Sequence, residues 1–373
     1  MLYQCLPKHS ATLLYLFPYE TYGFVYSHFS YTNTLGYIRE MNENPYKQET
    51  ESVVANTEFT SGEVFDFEPS PYKAEFSKTF NFSKGALNLA TKYGVDNGLI
   101  FFYNDFSVNA RAGKSNGFNI ICLNSGLQIW TIQNLFEKNE IHEILKTIYS
   151  GEIEYLDNPI NVLMYQLTLH FTFYHELAHL VQKSEYLESH LYERPYEVEE
   201  FDLTRHKLEI DADSFSGISI ASHIQQYALK HFGDDLDSNK MESLIEMFCS
   251  SSLLYFLSFQ SCKEEIYYYE NSHPHPMIRI LNIILTITHY LQQSPKLAER
   301  KITLNHIKIF KSTISTTTLI ESKVFKTKET ENFEKIISTE MKGIIKYISK
   351  IRDFKPDNFK LAIDVWNEST KKK

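Results

Sequence analysis

The stretch LTLHFTFYHELAHLV, at residues 167–181, contains two histidines four residues apart, His175 and His179, with Glu176 directly after the first. Residues four apart lie on the same side of an α-helix, so both imidazoles can reach one cation. Glu176 is rotated by about 100° around the helix axis, which places its carboxylate beside that cation, where it can accept a proton from water. In an apolar helix these groups are costly unless they are paired or bind a metal. A pair of core histidines bonded to backbone or water is the alternative.

A second segment, HKLEIDAD at 206–213, offers further ligands. Glu209 and Asp213 are four residues apart and therefore share one helical face. A catalytic zinc ion takes three protein ligands and leaves a fourth position open. The sequence predicts Glu209 as the third ligand and Asp213 as the hydrogen-bond partner of a liganding histidine. His206 is a rival third ligand, and an acidic surface helix is the alternative for the whole segment.

Composition limits the class of protein. The chain has 373 residues, a net charge of −10 and 14% aromatic residues, which indicates a globular protein and not a disordered one. Its four cysteines form no C-x-x-C pair, so we expect neither a disulfide framework nor a thiolate zinc site. The N-terminus lacks the features of a signal peptide, and residues 159–174 fall short of a membrane span. These features predict a cytoplasmic protein without a membrane span.

Charge and pattern suggest three regions. Residues 1–98 have an uncertain fold, and residues 99–295 form the predicted catalytic domain. Residues 296–373 form a basic helical region with 18 Lys and Arg against 10 Asp and Glu, a net charge of +8. This region is either a solvated appendage or a site for an acidic partner. Its interspersed acids argue against nucleic-acid binding.

The pattern of apolar residues predicts an α+β protein, mostly helical with a small mixed sheet. Predicted strands cover 99–105, 106–112 and 118–123, with a turn at 112–117. Predicted helices cover 126–149, 159–183, 196–231, 238–261, 275–293, 302–311 and 333–351.

The combination of H-E-x-x-H with E-x-x-A-D at 209–213 resembles the gluzincin-type zinc peptidases. Residues 109–112 (NARA) and 119–127 (NIICLNSGL) resemble the edge strand and following strand of the CAAX-prenyl-protease-like peptidases. His273-Pro274 with Arg279-Ile280 is similar to their H-P-x-x-x-x-R-I segment. The resemblance covers about residues 99–285 and implies a zincin-like core with additions at both ends.

The same resemblance implies roles for two more residues. His273 is the first candidate for stabilising the oxyanion of the reaction, and Arg279 is the second candidate or a supporting residue. The alternatives are that His273 caps the helix introduced by Pro274 and Pro276, and that Arg279 pairs with Asp213 or another acid.

A weaker similarity, to the Lit-type phage-exclusion peptidases, rests on the HELAHL…DADSF…HP…RI pattern and implies a dormant protease with a triggered activity. We therefore expect a Zn²⁺-dependent peptidase that acts on a protein or peptide substrate, with a narrow or regulated substrate range. The alternatives are a regulatory or stress sensor with a zincin fold, and a non-catalytic protein in which zinc only staples helices.

Overall fold

The computed structural model describes residues 44–151, 156–184, 187, 201–259 and 265–352. Within these ranges the chain is mostly helical, and three short strands form one mixed sheet. The prediction of a mostly helical α+β protein with a small mixed sheet is confirmed. Residues 1–43 of the region 1–98, residues 188–200 and the end of the basic C-terminal region lie outside the described residues.

The secondary structure follows this order along the chain. The strands are β1 (Gly98–Tyr103), β2 (Ala110–Ser115) and β3 (Phe118–Asn124). The α-helices are α1 (Pro45–Asn56), α2 (Lys73–Asn88), α3 (Ser125–Thr131), α4 (Asn139–Ile148), α5 (Ile160–Gln182), α6 (Leu203–Phe232), α7 (Ser238–Phe259), α8 (Pro276–Gln292), α9 (Pro295–Glu299), α10 (His306–Ile320) and α11 (Phe333–Ile351). Short 3₁₀ turns at Leu89–Tyr93 and Gly233–Asp235 and π turns at Ile132–Phe136 and Glu321–Phe325 supplement them.

Strand β3 is the centre of the sheet. It runs parallel to β1 and antiparallel to β2, so that β2 forms one edge of the sheet in the described structure. Asn116 and Gly117 form the turn between β2 and β3, and both have positive φ angles, 49° and 84°. An Asn-Gly pair suits a two-residue hairpin turn because both residues adopt this conformation readily. The turn is therefore shorter than the predicted 112–117, since β2 continues to Ser115.

The predicted strand at 106–112 is wrong in its first half, because residues 104–109 form a loop. The backbone amide of Gly126 donates to the carbonyl of Asp105 at 2.9 Å, which ties this loop to the start of α3. A Cβ atom at position 126 would lie 2.1 Å from the carbonyl oxygen of Phe106, so the close approach requires glycine. The loop delivers Asn109 and the start of β2 to the region of the candidate site.

The single helix predicted at 126–149 is in fact two helices. Helix α3 passes into a π turn, Ile132–Phe136, and α4 begins only at Asn139. Asn161 of α5 contributes to this break, because its side-chain amide donates to the carbonyl of Phe136 at 2.7 Å.

Helix α5 lies in the middle of the molecule. It has buried residues on all its sides and packs against the sheet, α6 and α7. This burial matches the prediction of a core helix and not a membrane span. In the described part of the chain, every helix is too short or too polar to cross a lipid bilayer.

The C-terminal helices pack directly onto the central ones. Helix α10 contacts α7 and α8, and α11 contacts α6, α8 and α10. Their buried side chains, including Phe310, Ile314 and Ile344, belong to the same apolar core as α5. Helix α10 begins at His306, where Asn305 caps it by accepting from the amides of Ile307 and Lys308, and it extends well past the predicted end at residue 311.

Two buried histidines in this core predict sensitivity to acid. His223 of α6 bonds the Tyr174 hydroxyl through Nε2 at 3.0 Å, and burial lowers the pKa of His223 to about 4. Burial, with a smaller effect of His223, also holds the pKa of the neighbouring His170 well below its usual value. Because these pKa values are lower in the folded than in the unfolded protein, the unfolded protein binds more protons below pH 6.5.

We expect the free energy of unfolding to fall between pH 6.5 and about pH 4, with a contribution of about 3 kcal/mol from His223. Urea denaturation of the wild type and of His223→Gln at pH 7, 5.5 and 4.5 would measure this. As the pH falls, the wild type should lose more free energy of unfolding than His223→Gln does. A constant difference across this range would contradict the assignment.

Candidate metal centre

Helix α5 brings His175 and His179 together on one face. Their Nε2 atoms are 3.2 Å apart, and both side chains are buried. The ring planes lie nearly perpendicular, with centroids 4.8 Å apart. The predicted histidine pair therefore points two ring nitrogens at one position.

Glu209, on α6, reaches the same position from the neighbouring helix. One of its oxygens lies 3.2 Å from Nε2 of His175, and the other lies 3.4 Å from Nε2 of His179. A tetrahedral zinc ion with bonds of about 2.0–2.1 Å separates its ligand atoms by about 3.3 Å. His175, His179 and Glu209 thus have the identity and the spacing of a ligand set for one divalent metal ion.

Electrostatics also favour a cation at this position. Burial would raise the pKa of Glu209, but His273 and His175 outweigh it and hold that pKa well below its usual value. Burial would lower the pKa of His175, yet Glu209 and Asp213 raise it to about 10. The buried carboxylates are therefore stabilised by nearby positive charge. Protonated imidazoles supply it in the absence of a metal, and a divalent cation would supply it after displacing their protons.

Asp213 lies below the ligands, one helical turn after Glu209. Its Oδ1 atom is 3.1 Å from Nδ1 of His175, on the side of the ring that faces away from Glu209. Arg279 of α8 donates to both Asp213 oxygens, from Nε at 2.9 Å and from Nη2 at 2.8 Å. Asp213 thus lies beside the outer nitrogen of His175, as its predicted role requires, and Arg279 pairs with it as the alternative interpretation held.

Gln182 is a supporting residue that sequence reasoning missed. Its side-chain nitrogen donates to the carbonyl of Leu208 at 2.9 Å and to Asp211 at 3.0 Å. Because this nitrogen is the donor, the remaining oxygen, 2.9 Å from Nδ1 of His179, accepts a hydrogen bond from the N–H of that ring. Nε2 of His179 is then free of a proton and available to a metal. The signal in the sequence was the position of Gln182, three residues after His179 on the same helix.

The rival ligand His206 is not part of the cluster. Its Nδ1 atom lies 2.8 Å from the hydroxyl of Tyr347, and its Nε2 atom lies 3.0 Å from the carbonyl of Asn271. Both ring nitrogens of His206 therefore have other partners.

His273 lies at the entrance of the site. Its Nε2 atom is 3.4 Å from Glu209, its Nδ1 atom is 2.9 Å from the hydroxyl of Ser272, and 37% of its side chain is exposed. The alternative that His273 caps helix α8 is wrong, because the cap is His275, whose Nδ1 accepts from the amide of Met277 at 3.1 Å.

A pocket of about 70 Å³ opens beside the ligands. Glu176 lines it, and burial raises the pKa of this carboxyl, against the opposing effect of His179 and His175. Tyr255, from α7, also lines the pocket and bonds Thr172. Nothing in the apolar sequence of α7 marked Tyr255, because its position depends on how α7 packs against α5. Asn109, Ala110 and Arg111 at the sheet edge complete this side of the wall.

Comparison with known proteins gives no assignment. Neither a protein-family model nor a curated protein nor a solved structure matches the chain. The function has to be argued from the arrangement of these side chains.

The geometry predicts one divalent metal ion per chain. His179→Ala should abolish stoichiometric binding, because two protein ligands remain. Gln182→Leu should retain the ion but weaken its affinity by about 10- to 100-fold, the usual effect of removing a partner of a ligand. Elemental analysis and competition with a chelator would measure both, with His289→Ala at the far end of α8 as the control. Wild-type metal content in His179→Ala would contradict the ligand set.

The pairing of Arg279 with Asp213 predicts strong coupling in stability. Asp213→Ala should lower the free energy of unfolding by about 3–5 kcal/mol, because it leaves the buried guanidinium without its carboxylate. The double variant Asp213→Ala/Arg279→Met should lose less than the sum of the two single variants. Urea denaturation of the metal-free proteins would measure this, and additive losses would show that the two charges do not depend on each other.

Proposed function

We propose that this chain is a zinc-dependent peptidase that hydrolyses peptide bonds in a protein or peptide substrate. The observation that carries the proposal is the place of Glu176. Glu176 lines the same pocket as the three ligand residues, but it is not one of them. A metal that only stapled helices together would need no buried carboxylate there.

The donor set supports zinc. Two imidazole nitrogens and one carboxylate oxygen are common ligands of catalytic zinc, whereas structural zinc sites are usually closed by four protein ligands, often cysteines. Cys122 and Cys249 are buried elsewhere and do not belong to the cluster. When bound, zinc would polarise the scissile carbonyl and make a water molecule acidic enough to react near neutral pH.

Glu176 would perform the proton transfers. As a carboxylate it accepts the proton of the attacking water, and as a carboxylic acid it returns this proton to the leaving amine. Burial raises the pKa of Glu176 towards neutral pH. A pKa shifted in this direction suits both halves of the cycle, because the group must accept a proton and later release it. The adjacent histidines limit this rise and keep the carboxylate form accessible.

The edge of the sheet supports binding of an extended peptide. Strand β2 pairs with β3 on one side, and its first residues, Ala110 and Arg111, line the pocket together with Asn109. A peptide that adds to this edge by main-chain hydrogen bonds would present its carbonyl to the pocket.

Charge on that carbonyl oxygen needs a donor besides the metal. His273 is partly exposed at the entrance and is the first candidate for this role. Tyr255 lines the same pocket and is a second candidate, which would have to exchange its hydrogen bond to Thr172 for one to the substrate. Arg279 is less suitable, because Asp213 already occupies its guanidinium.

The test is Glu176→Gln, which keeps the shape of the side chain but cannot accept the proton. Metal content should stay unchanged, and hydrolysis of labelled casein or a quenched peptide library should fall by about 10²- to 10⁴-fold. Glu140→Gln, at the exposed start of α4, is the matched control. Equal turnover in Glu176→Gln and wild type would refute the peptidase mechanism, and retained metal without any hydrolysis in the wild type would favour the non-catalytic alternative.

A further inference from the structure

Tyr347 of α11 lies where three separate parts of the chain meet. Its hydroxyl is 2.8 Å from Nδ1 of His206, near the start of α6. Its ring packs at 5.3 Å against the rings of Tyr268 and Tyr269, in the segment before α8. Tyr347 is itself buried. The helix of the C-terminal region therefore contacts both the ligand helix and the segment that carries His273.

The tautomer of His206 follows from its two partners. The carbonyl of Asn271 can only accept, so Nε2 of His206 carries the proton and donates to it over 3.0 Å. Nδ1 then accepts from the hydroxyl of Tyr347. The two hydrogen bonds form a continuous chain from Tyr347 through His206 to the backbone at Asn271.

The segment that receives this chain has no regular secondary structure of its own. Residues 265–275 are neither helix nor strand, and Asn271 has a positive φ of 60°. His275 fixes the end of the segment through its cap of α8. On the N-terminal side of His273, the hydrogen bond from His206 to the carbonyl of Asn271 fixes the backbone two residues away. Without it, the backbone on one side of His273 would lose this hydrogen bond to α6.

We propose that His206 and Tyr347 are positioning residues that hold His273 beside Glu209 at the entrance of the metal centre. The place of His206 supports this, since it lies three residues before Glu209 on the same helix. One helix thus sets the position of the metal ligand directly and the position of His273 through Asn271. Docking of α11 completes the arrangement, so the state of α11 and the geometry of the site are coupled.

An effect of His206 and Tyr347 on catalysis rests on the proposed peptidase function. Their effect on the position of His273 does not. His175, His179 and Glu209 are buried on the long helices α5 and α6, and the hydroxyl of Tyr347 bonds His206 and not these three residues. Loss of the Tyr347 hydroxyl should therefore leave metal binding intact while it loosens residues 266–273.

The experiment compares Tyr347→Phe, His206→Leu and His206→Gln in the full chain, with and without Zn²⁺. Tyr347→Phe and His206→Leu should speed amide hydrogen exchange of residues 266–273 by about 3- to 10-fold, the effect of one lost hydrogen bond. His206→Gln should stay near wild type, because its amide can donate to Asn271 and accept from Tyr347. Ser349→Ala is the matched control, since the Ser349 hydroxyl donates to the carbonyl of Ile345, in its own helix, at 2.9 Å.

Unchanged exchange in Tyr347→Phe and His206→Leu, with the fold retained, would overturn the proposal. So would equal acceleration in Ser349→Ala or in the core helices. If the chain hydrolyses peptides, Tyr347→Phe should lower kcat when introduced into the wild type but cause no further loss in His273→Gln. A further loss in the double variant would contradict the role of Tyr347 in positioning His273. The exchange measurement needs no turnover, so failure of the peptidase assignment and failure of this proposal remain separate results.

Discussion

The buried pair of Asp213 and Arg279 joins the parts of the molecule on which the metal centre depends. Arg279 fixes α8 to α6 through two hydrogen bonds, and the same Asp213 oxygen that accepts from Nη2 lies 3.1 Å from Nδ1 of His175 on α5. The guanidinium also packs 4.2 Å from the ring of Phe256 on α7. Four helices are thereby held around one carboxylate. Burial of these charges is costly, and the cost is offset only where all the partners are in place.

This constraint explains why the ligand atoms stand at the spacing of a metal site. Asp213 lies 3.1 Å from Nδ1 of His175. Nδ1 of His179 is hydrogen-bonded to the side-chain oxygen of Gln182, whose nitrogen donates to Leu208 and Asp211 of α6. Nδ1 of His179 is hydrogen-bonded and Nδ1 of His175 faces a carboxylate oxygen, and both rings present Nε2 to the candidate ion position. Repulsion among the buried carboxylates of Glu209, Asp213 and Glu176 is relieved by Arg279 and by positive charge at the ligand position. A site organised in this way loses little entropy on binding a cation.

Much of this centre could be predicted from the sequence, because the i, i+4 spacing of His175 and His179 and of Glu209 and Asp213 is local. The strand edges were less predictable. The apolar pattern extended a strand into 106–109, whereas the contact of Gly126 with Phe106 makes that segment a loop. Gln182, Tyr255 and Tyr347 were missed because their roles depend on long-range packing. The hydrogen bond between His206 and Tyr347 joins residues 141 positions apart in the chain. The periodic pattern of apolar residues predicts local structure and cannot predict a contact at that separation.

The centre divides into a rigid part and an adjustable part. The metal ligands and Glu176 project from long helices inside the core, where changes in position would disturb many packed side chains at once. His273 instead stands on irregular backbone, fixed by a few hydrogen bonds from α6, α8 and α11. Under the proposal, the affinity for a metal ion and the placement of His273 would therefore respond to different parts of the chain. Under the proposed coupling, a change in the docking of α11 would alter the position of His273 while the candidate ligands on α5 and α6 keep theirs, which would give α11 a physical route to the site.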